Sequence, residues 1–181
     1  MMRNTPDRFG LVSILLHWLI AITMLGLFGL GWYMVDLTYY DALYQTLPHW
    51  HKSIGILVGI AFLLRLAWRW ISPPPAPVAG LTPFQRRAAR WMHHALFALI
   101  ALIVVSGYLI STADGSSIAV FNLFEVPASI SGIDGQEDTA GWIHEYLAYL
   151  MIGLTLVHAG AALQHHFMKK DDTLRRMLGL K

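Results

Sequence analysis

Four long apolar stretches alternate with shorter polar segments along this chain. The apolar stretches cover about residues 11–35, 50–71, 91–112 and 142–167. A helix that crosses the hydrocarbon core of a membrane needs about 20 mostly apolar residues, and it satisfies its own backbone hydrogen bonds in lipid. The pattern therefore predicts an all-α integral membrane protein, a four-helix bundle in which residues 1–181 form a single transmembrane domain.

The composition agrees with this class. Of the 181 residues, 56% are hydrophobic and 13% are charged, whereas about a quarter of the residues of a typical soluble domain are charged. The first apolar stretch is too long for the hydrophobic region of a signal peptide, and no small-residue cleavage site follows it, so we expect it to remain in the mature protein. The lack of cysteine excludes disulfides, thiolate catalysis and iron–sulfur clusters.

The basic residues predict the orientation of the bundle. All of the 13 Lys and Arg residues except Lys52 lie before the first apolar stretch, around the connection between the second and third, or after the fourth. By the positive-inside rule, both termini are cytoplasmic. The net charge of +2 thus describes one membrane face, and no nucleic-acid partner is predicted. The basic residues of that face are Arg3, Arg8, Arg65, Arg69, Arg86, Arg87, Arg90, Lys169, Lys170, Arg175, Arg176 and Lys181.

The fourth apolar stretch carries three regularly spaced histidines, His144, His158 and His165. In a helix, a step of 14 residues advances about 21 Å and ends about 40° short of four turns. His144 and His158 therefore share one face at two depths of a hydrocarbon core about 30 Å thick, and His165 extends the same stripe. Imidazoles at membrane depth are costly and are usually retained for function. This spacing indicates that His144 and His158 each bind a haem iron.

Comparison of depths predicts a partner for each of these two histidines. His17 and His158 both lie toward the cytoplasmic ends of their helices, and His51 and His144 toward the outer ends. Two axial imidazoles leave iron no open position and suit electron transfer. The alternative for any single histidine is an interhelical hydrogen bond. A metal-ion site is disfavoured because three or four ligands would have to converge on one atom.

Spacing also singles out one cation and two glycines. Arg65 follows His51 by 14 residues, which places it near the cytoplasmic depth, where it can pair with a haem propionate or extend to the interface. Gly31 follows His17, and Gly107 follows His93, by the same interval. Each glycine is expected to open a helix face at the outer depth, and close helix packing is the alternative for Gly31.

The segments between and after the helices have distinct compositions. The outer segment 113–141 contains an apolar piece, VFNLFEVP, that is expected to lie on the membrane surface or to cap the bundle, followed by a flexible acidic piece. The proline-rich connection SPPPAPVAGLTP is expected to be extended. The final FMKKDDTLRRML predicts a basic amphipathic tail at the anionic inner leaflet.

Four motifs together resemble the bacterial cytochrome b561 family, four-helix di-haem b proteins of the inner membrane. They are HW at His17, HKxxG at His51, IHE at Ile143 and the ending HHFMKKDDTLRRM. The resemblance implies a multi-pass inner-membrane protein with two haem b groups. The ligands that it implies are His17, His51, His144 and His158.

The resemblance also implies an activity. The best-understood b561-type member is a superoxide oxidase that passes electrons from periplasmic superoxide to ubiquinone, so the bilayer, superoxide or another one-electron donor, and ubiquinone are the expected partners. Cytochrome b subunits of nickel–iron hydrogenases are related, and the alternative is a haem b anchor subunit that passes electrons between a partner dehydrogenase or hydrogenase and the quinone pool. A haem-free transport or structural protein is a third possibility.

Three further residues are candidates for roles in this chemistry. Lys52, the one basic residue of the acidic outer side, can attract a small anion such as superoxide or bind a propionate. His165 is implied as a quinone contact, able to donate to a quinone oxygen or relay a proton; otherwise it is an interfacial histidine. His93, similarly placed on the third helix, is a second quinone candidate.

Overall fold

The structure is a computed structural model that describes residues 1–180, and it contains four helices long and apolar enough to cross a membrane. The prediction of an all-α membrane bundle is confirmed. Lys181, counted above among the basic residues, lies outside the described residues. The long helices are α1 (Leu11–Met34), α2 (Thr46–Ile71), α3 (Pro83–Ser111) and α4 (Gln136–Gln164). The smaller elements are β1 (Ile118–Val120), β2 (Phe124–Val126), a π turn (His165–Lys169) and α5 (Thr173–Met177).

Three helices begin earlier than the apolar stretches at 50, 91 and 142. Helix α2 starts at Thr46, α3 at Pro83 and α4 at Gln136, because hydropathy marks only the lipid-embedded part of a helix and not its polar first turns. The start of α3 is set by a capping box, in which the side chains of Thr82 and Gln85 each accept a hydrogen bond from the backbone N–H of the other. The acidic piece expected to be flexible thus forms, in part, the first turns of α4.

The helices pack as a chain of neighbours. Helix α1 packs on α2, α2 on α3 and α3 on α4, whereas α4 makes few close contacts with α1 or α2. Two small apolar clusters fill the middle of the bundle. One joins α1 and α2, and the other joins α3 and α4 around Met151, which is 5% exposed. The buried members are Ile20, Leu27, Val58 and Phe62 in the first cluster, and Leu99, Ile103 and Met151 in the second.

At one end of the bundle, hereafter the hairpin end, strands β1 and β2 pair antiparallel and cap α2. Ile118 pairs with Val126 and Val120 with Phe124. The fully buried Ser53 of α2 fastens the hairpin, since its hydroxyl accepts from the N–H of Phe121 (3.0 Å) and donates to the carbonyl of Ala119 (3.3 Å). The VFNLFEVP piece therefore caps the bundle.

The opposite end, hereafter the terminal end, carries both chain termini. The amino-terminal lead is attached to the proline-rich connection, because the side-chain amide of Asn4 donates to the carbonyl of Ser72 (2.8 Å). After α4 the chain turns back through Lys170, which has φ 55°. Helix α5 then packs on the π turn and is joined to α1 by a hydrogen bond from the indole N–H of Trp18 to the carbonyl of Met177 (2.9 Å). The basic tail is thus partly folded onto the bundle.

Candidate functional site

At the hairpin end, a pair of imidazoles bridges α2 and α4. The ring centres of His51 and His144 lie 6.1 Å apart with an angle of 70° between the ring planes. Both side chains are partly buried. His49, two residues before His51, contacts Phe121 of the hairpin instead, with ring centres 6.2 Å apart. Of these two histidines, only His51 therefore contacts the histidine of α4.

Two glycines make room for this pair. A Cβ atom at Gly31 of α1 would lie 3.2 Å from Cε1 of His51, and one at Gly107 of α3 would lie 3.1 Å from Cε1 of His144. These separations are shorter than the optimal carbon–carbon contact of about 3.5–4.0 Å. The open helix faces expected at this depth are thus occupied by the two imidazoles, which pack directly on glycine backbone.

The ring of His144 is also held by hydrogen bonds. Its Nδ1 lies 3.0 Å from the carbonyl oxygen of Ile103 and 3.0 Å from Oγ of the buried Ser106. An imidazole that donates from Nδ1 leaves Nε2 as the nitrogen able to bind a metal. Ser106 was not identified from the sequence, because nothing in the spacing marks a serine beside a glycine as a partner of a histidine on another helix.

A cavity of about 690 Å³ adjoins this pair and is lined by all four long helices. Its size lies within the range of about 300–1,000 Å³ that is usual for small-molecule and cofactor sites. Lys52 borders it, as do the carboxylates of Asp114, Glu137 and Glu145. Hydrogen bonds from Ser116 hold the pKa of the Asp114 carboxyl below its usual range, and the charge of Lys52 contributes to this. Lys52, the single basic residue of this side, therefore lies near the ionised carboxylate of Asp114.

Nearer the terminal end, a second pair of imidazoles bridges α1 and α4. The ring centres of His17 and His158 are 6.4 Å apart, with an angle of 73° between the planes. The indole of Trp18 lies edge-on to His17 at 5.2 Å. The ring of His93, from α3, lies only 5.3 Å from that of His158. The second quinone candidate is therefore a direct neighbour of this pair.

Arg65 lies at this same level, as its spacing from His51 predicts. Its guanidinium lies 5.6 Å from the ring centre of Phe97, and that of Arg69 lies 5.5 Å from the same ring. Within residues 1–180, no carboxylate lies within ion-pairing distance of Arg65. A partly buried cation without an acidic partner favours an anionic group nearby.

His165 is placed beyond the second pair, where α4 passes into the π turn. Its Nδ1 lies 2.5 Å from Oδ2 of Asp171. Asp171 was not identified from the sequence, which offers two adjacent aspartates without indicating which one turns back toward the bundle. Across the described chain, 1–180, no group of three or more His, Asp or Glu side chains is placed to hold a metal ion.

The amino-acid sequence that forms these two imidazole pairs also matches a known protein family. A sequence model of the prokaryotic cytochrome b561 proteins matches residues 8–180. The chain belongs to the prokaryotic cytochrome b561 family. Its members are membrane electron-transfer proteins that bind haem b, and this chain is a multi-pass protein of the bacterial inner membrane.

Three similar proteins align with nearly the whole chain. Cytochrome b561 homolog 2 of Escherichia coli (strain K12) is 51% identical over 97% of this chain and 94% of its own length. Cytochrome b561 homolog 1 of the same organism is 29% identical, over 95% and 97% respectively. A protein of Yersinia pestis named probable superoxide oxidase is 30% identical, over 96% and 97%.

The residues present fit the haem b of the b561 family. A metal–imidazole bond is about 2 Å long and a ring centre lies about 1 Å from its nitrogen, so two imidazoles that would hold one metal atom between them stand about 6 Å apart, centre to centre. The separations of 6.1 Å for His51 and His144 and 6.4 Å for His17 and His158 match this value. The 5.3 Å between His93 and His158 is too short for such a pair. In addition, Nδ1 of His51 is buried without a hydrogen-bond partner in the described residues, and an unpaired buried polar atom is rare outside functional sites.

Proposed function

We propose that residues 1–181 act as a single transmembrane cytochrome b domain that oxidises superoxide at its outer face and reduces ubiquinone within the membrane. The observation that carries this proposal is the pair of imidazole bridges from α4, with ring centres 6.1 Å and 6.4 Å apart. Bound there, each haem b would supply one-electron redox chemistry, held by one histidine from α4 and one from a neighbouring helix.

The chain's own residues hold the two carriers at fixed depths. His51 and His144 are proposed as the outer ligands, and His17 and His158 as the inner ligands. Since His144 and His158 are 14 residues apart on α4, the two sites are separated by about 21 Å along the helix. The apolar side chains that pack around Met151 lie between them. The protein thus contributes position, orientation and electrostatics, whereas the cofactor contributes the redox chemistry.

Arg65 is proposed to bind a propionate of the inner haem. Its guanidinium is partly buried, and within residues 1–180 it has no carboxylate in reach. A charge-assisted hydrogen bond to a carboxylate would satisfy it. Its distance of 5.6 Å from Phe97 keeps the side chain along the bundle, which favours this role over extension to the interface.

Lys52 is proposed to attract superoxide to the outer site. It is exposed at the cavity next to His51, and by the charge distribution of the chain this end faces the periplasm. A positive charge beside a cavity raises the local concentration of a small anion. The name of the Yersinia pestis relative, probable superoxide oxidase, supports superoxide as the donor.

Ubiquinone is proposed to bind at the cytoplasmic end of the bundle, with His165 and His93 as its contacts. Each can hydrogen-bond a quinone oxygen, and His93 adjoins His158, one of the proposed inner ligands. The protons that quinone reduction consumes would enter from the cytoplasmic side, where His165 is 13% exposed.

The ligand assignment is tested by visible spectra of the oxidised and reduced protein. Purified wild type is expected to carry two haems, and His144→Ala and His158→Ala are each expected to lose about one haem's absorbance. Full haem content in both variants would refute the assignment. Rapid reduction of the haem by superoxide, followed by reoxidation with ubiquinone, is expected of the isolated protein.

A second candidate is a haem b anchor subunit for a partner dehydrogenase or hydrogenase. The three carboxylates at the mouth of the outer cavity favour it, because they repel superoxide and attract a basic protein surface. Co-purification with a catalytic subunit, together with slow haem reduction by superoxide in isolation, would favour this candidate over the first.

A further inference from the structure

The imidazole of His165 contacts the carboxylate of Asp171, a residue that follows the π turn at the end of α4. The π turn widens the end of α4, and Lys170 then adopts a left-handed conformation with φ 55°. This reverses the chain, so that the N–H of Asp171 donates to the carbonyl of His165 (3.2 Å). Oδ2 of Asp171 thereby comes to lie 2.5 Å from Nδ1 of His165, and the two side chains are 13% and 19% exposed, Asp171 being the more exposed.

Asp171 is itself held in place from the other side. Its Oδ1 accepts a hydrogen bond from the N–H of Thr173 (2.9 Å), at the start of α5. Helix α5 is in turn fastened to α1 by the hydrogen bond from Trp18 to the carbonyl of Met177 (2.9 Å). Because Trp18 is adjacent to His17, the carboxylate is linked to the part of the bundle that carries the inner imidazole pair.

The carboxyl group of Asp171 is ionised at neutral pH. Partial burial acts to raise the pKa of Asp171, but the hydrogen bonds from His165 and Thr173 outweigh burial and hold the pKa below its usual value. An ionised carboxylate accepts from the Nδ1–H of an imidazole, and this determines which ring nitrogen is left for other chemistry. Here the nitrogen left over is Nε2 of His165.

We propose that Asp171 is a positioning residue for quinone reduction, holding His165 so that its Nε2 exchanges a proton with a quinone oxygen. This inference rests on the proposed function, and it adds a residue that neither the motifs nor the comparisons assign. A buried or half-buried carboxylate that fixes the tautomer and orientation of a histidine is a common device in proton-transfer sites.

One quinone takes up two electrons and two protons to become the quinol, and the electrons come from two superoxide anions, which are oxidised to two dioxygen molecules. The imidazolium of His165 gives the proton on Nε2 to a quinone oxygen. The neutral ring keeps its Nδ1–H directed at Asp171, and Nε2 takes up a new proton from water on the cytoplasmic side, which it gives to the quinone as the second proton.

The other charged groups near this pair are mostly basic. His166, Lys169 and Lys170 are on the same turn, and Arg175 and Arg176 follow on α5. Asp172 lies 3.7 Å from Arg175, and Arg176 donates to the carbonyl of Ala76 (2.9 Å). On the neighbouring helices, the titratable groups of the inner pair are His158 on α4, His17 on α1 and His93 on α3. The surroundings of His165 are therefore mostly basic, and Asp171 is the carboxylate that contacts its ring.

The experiment compares Asp171→Asn with Asp172→Asn in the full-length protein loaded with haem. Two rates are measured separately over a range of pH: reduction of the haem by superoxide, and its reoxidation by a short-chain ubiquinone. We expect Asp171→Asn to slow reoxidation by about tenfold or more. The pH above which reoxidation slows should also be lower in this variant than in wild type. Haem content and reduction by superoxide should match wild type. Asp172→Asn should behave as wild type throughout, and Asp171→Glu should recover part of the lost rate.

Reoxidation in Asp171→Asn at the wild-type rate would overturn the proposal. A slowed rate with an unchanged pH profile and no recovery in Asp171→Glu would also overturn it, since that result indicates only a loosened tail. If wild-type haem is reduced by superoxide but never reoxidised by quinone, the proposed function fails, and this inference fails with it. These outcomes are distinguishable, because the first two are differences between variants and the third is a property of wild type.

Discussion

Gly107 lies so close to the imidazole of His144 that a Cβ atom there would be 3.1 Å from Cε1 of the ring. Carbon atoms in favourable contact are about 3.5–4.0 Å apart, so a larger residue must displace the ring. We predict that Gly107→Val lowers haem content by about one of the two groups, measured by the visible spectrum of the reduced protein. The matched control is Gly153→Val on α4, where the glycine is exposed and a Cβ atom would meet nothing within 4 Å. Equal haem content in both variants would contradict the prediction.

Ser106 is predicted to lower the reduction potential of the haem at the outer site. Its Oγ lies 3.0 Å from Nδ1 of His144, and accepting a hydrogen bond from that nitrogen makes the imidazole a stronger electron donor to a metal. Ser106→Ala should therefore raise the reduction potential of one haem by a few tens of millivolts, on a scale where about 59 mV is a tenfold change for one electron. Spectroelectrochemical titration measures the shift.

A serine on the same helix provides the control for that titration. Ser111 donates only to the carbonyl of Gly107 in its own helix (3.0 Å), so Ser111→Ala should leave both potentials at their wild-type values. A lowered potential, or identical titrations for wild type and Ser106→Ala, would rule out the tuning role.

Lys52 is predicted to affect the rate of reaction with superoxide and its dependence on salt. Lys52→Gln should slow haem reduction by superoxide about threefold at low ionic strength, and the difference should disappear at high salt, because screening removes it. Stopped-flow measurements of haem absorbance give both rates. Lys169→Gln, at the terminal end, is the control and should change neither. If Lys52 instead binds a propionate, haem content or potential will change while the salt dependence remains.

Ser53 is predicted to stabilise the hairpin that caps the bundle. It is fully buried, and its hydroxyl accepts from the N–H of Phe121 and donates to the carbonyl of Ala119, so Ser53→Ala removes both hydrogen bonds to the hairpin. The expected cost is about 1–3 kcal/mol in the free energy of unfolding. A thermal unfolding series in detergent tests this, with Ser117→Ala as the control. Ser117 is exposed and donates only to Glu125 within the hairpin (2.6 Å), and the same loss in both variants would indicate a general effect of shortening a serine.

Much of the bundle was predictable because helical geometry in lipid is restrictive. The apolar stretches had to be helices, and the regular turn of a helix converts a spacing of 14 residues into one face and two depths. The pairs His17 with His158 and His51 with His144 could be named from depth alone, although their role as iron ligands stays a prediction. Helix starts such as Pro83 were misjudged, because polar first turns do not contribute to hydropathy.

The amino-acid sequence by itself determined the class, the four helices, the depth of each histidine and membership of a family. Only the tertiary structure decided which side chains meet across helices. Ser106 reaches His144, His93 lies against His158, and Asp171 rather than Asp172 returns to His165. The physical reason is that periodicity specifies positions along one helix, whereas contacts between helices depend on their order, their rotation and the path of the connecting chain.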